Sequence, residues 1–176
     1  MAHRPLLAGE RRRGSAAGAG AEDIWNSDAV TISHKVSYDV EAAPVPQLME
    51  LFSSAWWAAR RTEAEIGRIL AESDVVVMVF DHPSGRLVGF ARVLTDKTYL
   101  AIILDVIVAP DVRGAGIGSA IMDATLAHPS VAHVQSIEVV CQPDLIAFYR
   151  QWNFTDQVGQ SRLMRRTADP LLTSEL

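Results

Sequence analysis

With a single cysteine, Cys141, this chain cannot close a disulfide on itself, and nothing in it is built to exploit an oxidising compartment. The expected setting is cytoplasmic. The sequence also lacks any apolar stretch near the roughly 20 residues a spanning helix needs, and the longest, Tyr99 to Val108, is interrupted by Asp105. No membrane partner is expected. Near the N-terminus only Leu6 and Leu7 accompany Arg4 and Arg11 to Arg13, too little apolar length for a secretory core, so export is not expected either. His34, His82, His128 and His133 show no metal-ligand spacing, and no metal is expected.

What is present suits one globule, because 49% hydrophobic and 21% charged residues in 176 can bury an ordinary core. The net charge of −5 is uneven. Residues 1–20 hold four Arg against one Glu, and the remainder carries 12 basic and 20 acidic residues. An acidic body disfavours nucleic acid and mildly attracts a cationic amine. Residues 1–28 are rich in Ala, Gly and Arg without hydrophobic period, and read as a disordered tail. A nucleic-acid arm, testable by salt-sensitive binding, and an organelle-targeting peptide are the competing readings of that tail, by composition alone.

From Val30 the pattern tightens. A first strand is expected near Thr31 to Tyr38, then a helix with Leu48, Phe52, Ala55 and Ala59 on one stripe. Thr62-Glu63-Ala64-Glu65 forms a capping box for a second helix. Val75 to Phe80 and Leu87 to Leu94 read as a hairpin about Asp81–Gly85, and Tyr99 to Val108, apolar on both faces, reads as a central strand. A helix is expected after Gly116, a strand over Val134 to Val140, a helix with Leu145, Phe148, Tyr149 and Trp152 on one side, and a last strand around Gln160 to Arg166.

The strand-to-helix turn Arg113-Gly114-Ala115-Gly116-Ile117-Gly118 is the part with chemistry in it. Glycines let amides converge and the helix N-terminus adds partial positive charge, an arrangement that binds phosphate. A Walker A loop is excluded because no Gly-Lys-Ser/Thr follows, and a dinucleotide fingerprint starting at Gly114 meets Ser119 where Gly or Ala belongs. A turn that binds no ligand is the remaining alternative on this motif alone.

The segment Val106 to Gly118, with Arg113, Gly116 and Gly118 completing Arg/Gln-x-x-Gly-x-Gly/Ala, resembles the coenzyme motif of the GCN5-related N-acetyltransferase (GNAT) family. Downstream, Tyr149-Arg150-Gln151-Trp152-Asn153-Phe154 is similar to that family's Tyr-x-x-x-Gly-Phe helix end, with Asn153 replacing the glycine. The resemblance is specific over about residues 85 to 155. It implies an α/β fold of the α+β type: residues 29–176 as one domain, with a mixed, mostly antiparallel central sheet of about six or seven strands flanked by about four helices.

The resemblance also implies acetyl-CoA as co-substrate and an amine acceptor, either a small molecule or a peptide, with the protein a monomer or homodimer. Backbone groups of Val106, Ile107 and Val108 would hold the pantetheine arm. Arg113, Gly114, Ala115, Gly116, Ile117, Gly118 and Ser119 would cradle the diphosphate. Tyr149 would protonate the departing thiolate, since a phenol with an ordinary pKa near 10 keeps its proton at neutral pH. The base is open between Glu138 and Asp105, each a lone carboxylate in an apolar strand, and water. Trp56 and Trp57 fall where the family builds its acceptor pocket. Cys141 has no His/Asp partner set by the sequence and reads as structural. The alternative function is an acetyl-CoA-binding sensor without turnover, against which Tyr149 argues.

Overall fold

The computed structural model describes residues 33–169 and 172–173, so the tail read over residues 1–28 and the start of the first strand, Thr31 and Ile32, lie outside the described residues. Five strands form one sheet: β1 His34–Ser37, β2 Val75–Asp81, β3 Leu87–Thr95, β4 Leu100–Val108 and β5 Ser136–Val139. Their spatial order is their chain order. Neighbours from β1 to β4 run antiparallel, with short turns joining β2, β3 and β4 and two helices lying between β1 and β2, and β5 lies parallel to β4. A parallel neighbour needs a crossover, and helix α3, Ile117–Ala127, provides it. Helices α1 Val45–Ser53, α2 Glu63–Glu72 and the single turn α4 Ile146–Tyr149 complete the set.

The strand count among the described residues is five rather than about six or seven. Gln160 to Arg166, expected as a last strand, pairs with nothing in the sheet, and Leu163 and Met164 are 71% and 92% exposed. The physical reason lies in the pattern: these two apolar residues are adjacent, so they cannot share one face of a strand, and Arg162, Arg165 and Arg166 surround them.

Each face of the sheet has its own cover. A methyl group placed on Gly89 would lie 2.8 Å from Ile121, so Gly89 and its alternates face α3. The other face of β3 carries Phe90, whose ring meets Phe52 of α1 edge-on at 5.2 Å, and next Arg92 and Leu94. Most of the core, including Val77, Val79, Phe90, Ile103 and Ile121, is sealed between these layers.

Helix α1 stops at Ser53, six residues before Ala59. The hydroxyls of Ser53 and Ser54 bond back to the carbonyls of Glu50 and Leu51, both at 2.6 Å, and a chain of tight turns runs on to Arg61. The capping box of α2 forms as expected, the Thr62 amide donating to Glu65 at 2.8 Å and the Glu65 amide to Thr62 Oγ1 at 3.3 Å. Among the described residues, no helix is long and apolar enough to cross a membrane.

Candidate active site

Strand β4 is paired on both sides only at its beginning. Its register with β5 runs from Leu100 opposite Ser136 to Ile103 opposite Val139, where β5 ends, while β4 continues to Val108. The edge of residues 104–108 that faced β5 is therefore open. On the other side, Arg92 pairs with Leu104 and Phe90 with Ile107, so Asp105 and Val106 together oppose Ala91. This is a β-bulge, and Asp105 takes the left-handed conformation there, with φ of 56°. Bulges bend a strand and re-aim its groups, which steers β4 away from β5 at the point where pairing stops.

The open edge leads directly into the glycine turn. After Ala109 and a tight turn over Pro110–Val112, Arg113 donates from Nε to the Val108 carbonyl at 3.3 Å. Gly114 and Gly116 have φ of 80° and 84°, values that L side chains adopt only with strain, and a methyl group on either would meet no protein atom within 4 Å. The space beyond them is open. Gly116 begins α3 with no side-chain cap, and the first helical bond is Ala120 N–H to the Gly116 carbonyl at 3.0 Å. The amides of Ile117, Gly118 and Ser119 thus precede the helix's own bonding and sit at its positive end. Gly118 serves packing as well: a methyl group there would lie 3.1 Å from the Phe148 ring, so α3 and α4 touch closely.

The Tyr149 side chain is 5% exposed, held by edge-on rings of Phe148 at 5.1 Å and Phe154 at 6.0 Å. Burial, with a smaller contribution from Cys141, pushes its phenol up to about 12. It remains a proton donor throughout the physiological range. Asn153, at φ of 63°, takes the left-handed position that ends this helix, and the Trp152 indole donates to Asp123 at 2.7 Å, tying the segment to α3. The Cys141 thiol is pushed up by burial and by Asp144 and Asp156, so it stays protonated and is a weak nucleophile.

The two carboxylates differ sharply. Asp105 receives Arg61 on both oxygens, at 2.8 and 2.9 Å, and Arg92 Nε at 2.6 Å. Burial would push this carboxyl up; the hydrogen bonds and charges of Arg61 and Arg92 outweigh it and hold the group below the usual carboxylate range. It is ionised but fully engaged, a poor base. Glu138 lies exposed on β5, opposite Ile102, and therefore shares the sheet face of Leu94 and Arg92. Trp56 is 46% exposed in the α1–α2 connection, whereas Trp57 is half-buried beneath the Arg61 guanidinium, 5.4 Å from its ring.

Arg61 and Arg92 are site residues that sequence reasoning missed. The available signal was a lone Arg within the apolar run Leu87 to Leu94, one strand away from the lone Asp of the next run. Among the described residues, no group of three or more His, Cys, Asp or Glu side chains is gathered as a metal site would require.

Residues 67–156 match the family profile described as an acetyltransferase (GNAT) domain. The N-acetyltransferase ycf52 of Porphyra purpurea, described as uncharacterized, is 32% identical over 110 residues, covering 61% of this chain and 63% of that protein. The chloroplastic serotonin N-acetyltransferase 2 of Oryza sativa subsp. japonica is 34% identical over 112 residues, covering 62% of this chain and 56% of that protein. The aligned part thus spans about three fifths of the length of these curated relatives. Among solved structures, a protein of Xanthomonas campestris pv. campestris assigned to the GNAT family superposes with a TM-score of 0.69 at 29% identity, covering 81% of this chain and 98% of that one. With the splayed strand, the glycine turn and the buried tyrosine all inside the matched residues, this chain belongs to the GNAT acetyltransferase family.

Proposed function

We propose that the chain is an acetyl-CoA-dependent N-acetyltransferase, transferring the acetyl group to a primary amine of a small molecule or peptide by direct attack on the thioester. The observation that carries this reading is the open edge of β4 at residues 104–108, continuous with a glycine turn whose outer side is empty of protein atoms. Such an edge accepts an amide-bearing arm as it would accept a strand. The turn beyond it presents amides to a diphosphate. Bound there, acetyl-CoA supplies an activated acyl carbon and a thiolate leaving group.

The chain's own residues then have distinct tasks. Val106, Ile107 and Val108 hold the arm through their backbone, and one of their amides polarises the thioester carbonyl. The amides of residues 114–119 grip the diphosphate, with Arg113 adding charge and the Ser119 hydroxyl a further hydrogen bond. Tyr149 keeps its proton until the thiolate departs and then delivers it. Glu138, exposed on the face opposite α3, takes a proton from the acceptor ammonium directly or through water. Asp105, already saturated by two guanidiniums, positions rather than deprotonates. The exposed Trp56 gives the amine side an aromatic wall, in keeping with an acceptor of apolar or aromatic body.

The test is thiol release from acetyl-CoA across a panel of amines, amino acids, polyamines and peptides. Amine-dependent release is the expected result. Saturable acetyl-CoA binding with no amine-stimulated release would overturn the enzyme reading in favour of a sensor module.

A further inference from the structure

Asp105, Arg61 and Arg92 do not balance. Their side chains are 6%, 23% and 15% exposed, and two positive charges converge on one negative charge. Arg60, next to Arg61, is already paired with Asp169 at 3.0 Å and contributes no spare charge of its own. Glu65 acts on Arg61 only through space and is itself exposed, so the three hydrogen-bonded groups hold a net charge of +1 at a largely buried place, an arrangement that is costly unless an anion completes it.

Of the two, Arg92 is the guanidinium whose terminal nitrogens have no protein acceptor among the described residues; its Nε is committed to Asp105. Its cross-strand neighbours are Val76 and Leu104, which offer no counter-charge. Glu138, two strands away on the same face, forms no ion pair with it. Arg61 differs in that both its terminal nitrogens are bound to Asp105 and its guanidinium lies over the rings of Phe52 at 4.8 Å and Trp57 at 5.4 Å, so neither terminal nitrogen is without a protein acceptor. Asp105 and Arg61 thus act as a fixed base that holds Arg92 by its Nε and leaves its two terminal nitrogens without a protein acceptor.

The position of that pair matters. Asp105 immediately precedes Val106, the first residue proposed to hold the pantetheine arm, at the apex where β4 parts from β5. On one face α3 packs against Gly89 and on the other α1 packs against Phe90, but beyond Phe90 the second face opens, with Leu94 38% exposed and Glu138 exposed, so an acceptor reaches the apex from the face that carries Arg92. We propose that Arg92, oriented by Asp105 and Arg61, binds a carboxylate on the acceptor, so that the substrate is an amine that also carries a carboxylate. This rests on the acetyl-transfer reading above. A carboxylate brings one negative charge, which matches the net +1, whereas a phosphate monoester brings about −1.5 to −2 and would over-neutralise the cluster.

The experiment compares amines that share a body and differ in the carboxylate: phenylalanine against 2-phenylethylamine, in the full chain and in Arg92→Gln. The quantity read is the ratio of kcat/KM for the two amines, and comparing that ratio between the proteins removes differences in amine basicity. Wild type is expected to favour phenylalanine by about 10-fold or more, and Arg92→Gln to collapse that preference by about 10- to 100-fold, as loss of a charged hydrogen bond predicts. Equal ratios in the two proteins, or a wild-type preference for 2-phenylethylamine, would overturn the proposal. So would use of phosphoethanolamine in preference to β-alanine.

A second measurement needs no variant and no turnover. Calorimetric titration of acetyl-CoA-loaded wild type with 3-phenylpropionate should show binding about 10-fold tighter than with 3-phenylpropionamide. Equal or absent binding of the two refutes the carboxylate site. Selective carboxylate binding in a protein that acetylates no amine would support the site while removing the transfer reading, so the two failures are distinguishable.

Discussion

Gly85 and Gly116 form a natural matched pair. Both are left-handed, with φ of 70° and 84°, and a methyl group on either would find no protein atom within 4 Å. Gly85 closes the turn between β2 and β3, its amide bonded to the Asp81 carbonyl at 2.9 Å, whereas Gly116 begins α3 at the proposed diphosphate cradle. Alanine in this conformation costs about 1–2 kcal/mol, offset by about 0.4–1 kcal/mol from the stiffer unfolded chain, so each Gly→Ala change should destabilise by about 1 kcal/mol in urea unfolding. Only Gly116→Ala places a carbon where an anion must approach the amides. Loss of one such charged hydrogen bond, about 1.5–3 kcal/mol, should raise the acetyl-CoA Kd by about 10- to 100-fold. Isothermal titration of both variants reads this directly. The cradle assignment fails if Gly116→Ala weakens acetyl-CoA no more than Gly85→Ala does while both proteins remain folded.

Tyr149→Phe should lower steady-state turnover by about 100-fold or more while acetyl-CoA affinity stays close to wild type; wild-type turnover would reduce the phenol to packing. Because the folded phenol titrates near 12, above the ordinary value near 10, Tyr149 stabilises the fold below about pH 10 and that contribution is lost as pH rises toward 12. Alkaline unfolding over that window should therefore be shallower in Tyr149→Phe than in wild type. Asp105→Asn keeps shape and tolerates the left-handed backbone but leaves two guanidiniums without their anion, and should cost about 3 kcal/mol in urea unfolding at neutral pH. Its folded carboxyl titrates below the unfolded value near 3.9, so wild type's advantage is present above about pH 4 and shrinks as pH falls further; parallel curves in acid would contradict this. Glu138→Gln should reduce kcat/KM for the amine most strongly at the acid end of the pH profile, and an unchanged profile would leave deprotonation to water.

Much of the fold was legible because its signals are local. The capping box at Thr62–Glu65 needs only four residues, and it forms. The glycine turn declares itself because positive φ is cheap only without a Cβ, and Asn153 holds the left-handed end expected of it. Local reasoning overran where side chains compete with backbone: Ser53 and Ser54 bond to α1's carbonyls and end the helix that apolar spacing extended to Ala59. It overran again at Gln160 to Arg166, where the adjacent Leu163 and Met164 cannot share one face of a strand and stay exposed.

By itself the sequence determined the strand-to-helix turn, the family it signals and the tyrosine, since all three are encoded within short windows of chain. Asp105 shows what it could not decide. As a lone carboxylate in an apolar strand it read equally well as a base, and nothing near it in sequence named its partners. Those partners come from 44 and 13 residues away, and their convergence turned a candidate base into an anchored anion. The same folding step exposed Glu138 and left Arg92 with unspent donors. Charge and protonation depend on distances through space, and only the packed sheet and the loop between its first two helices set those distances.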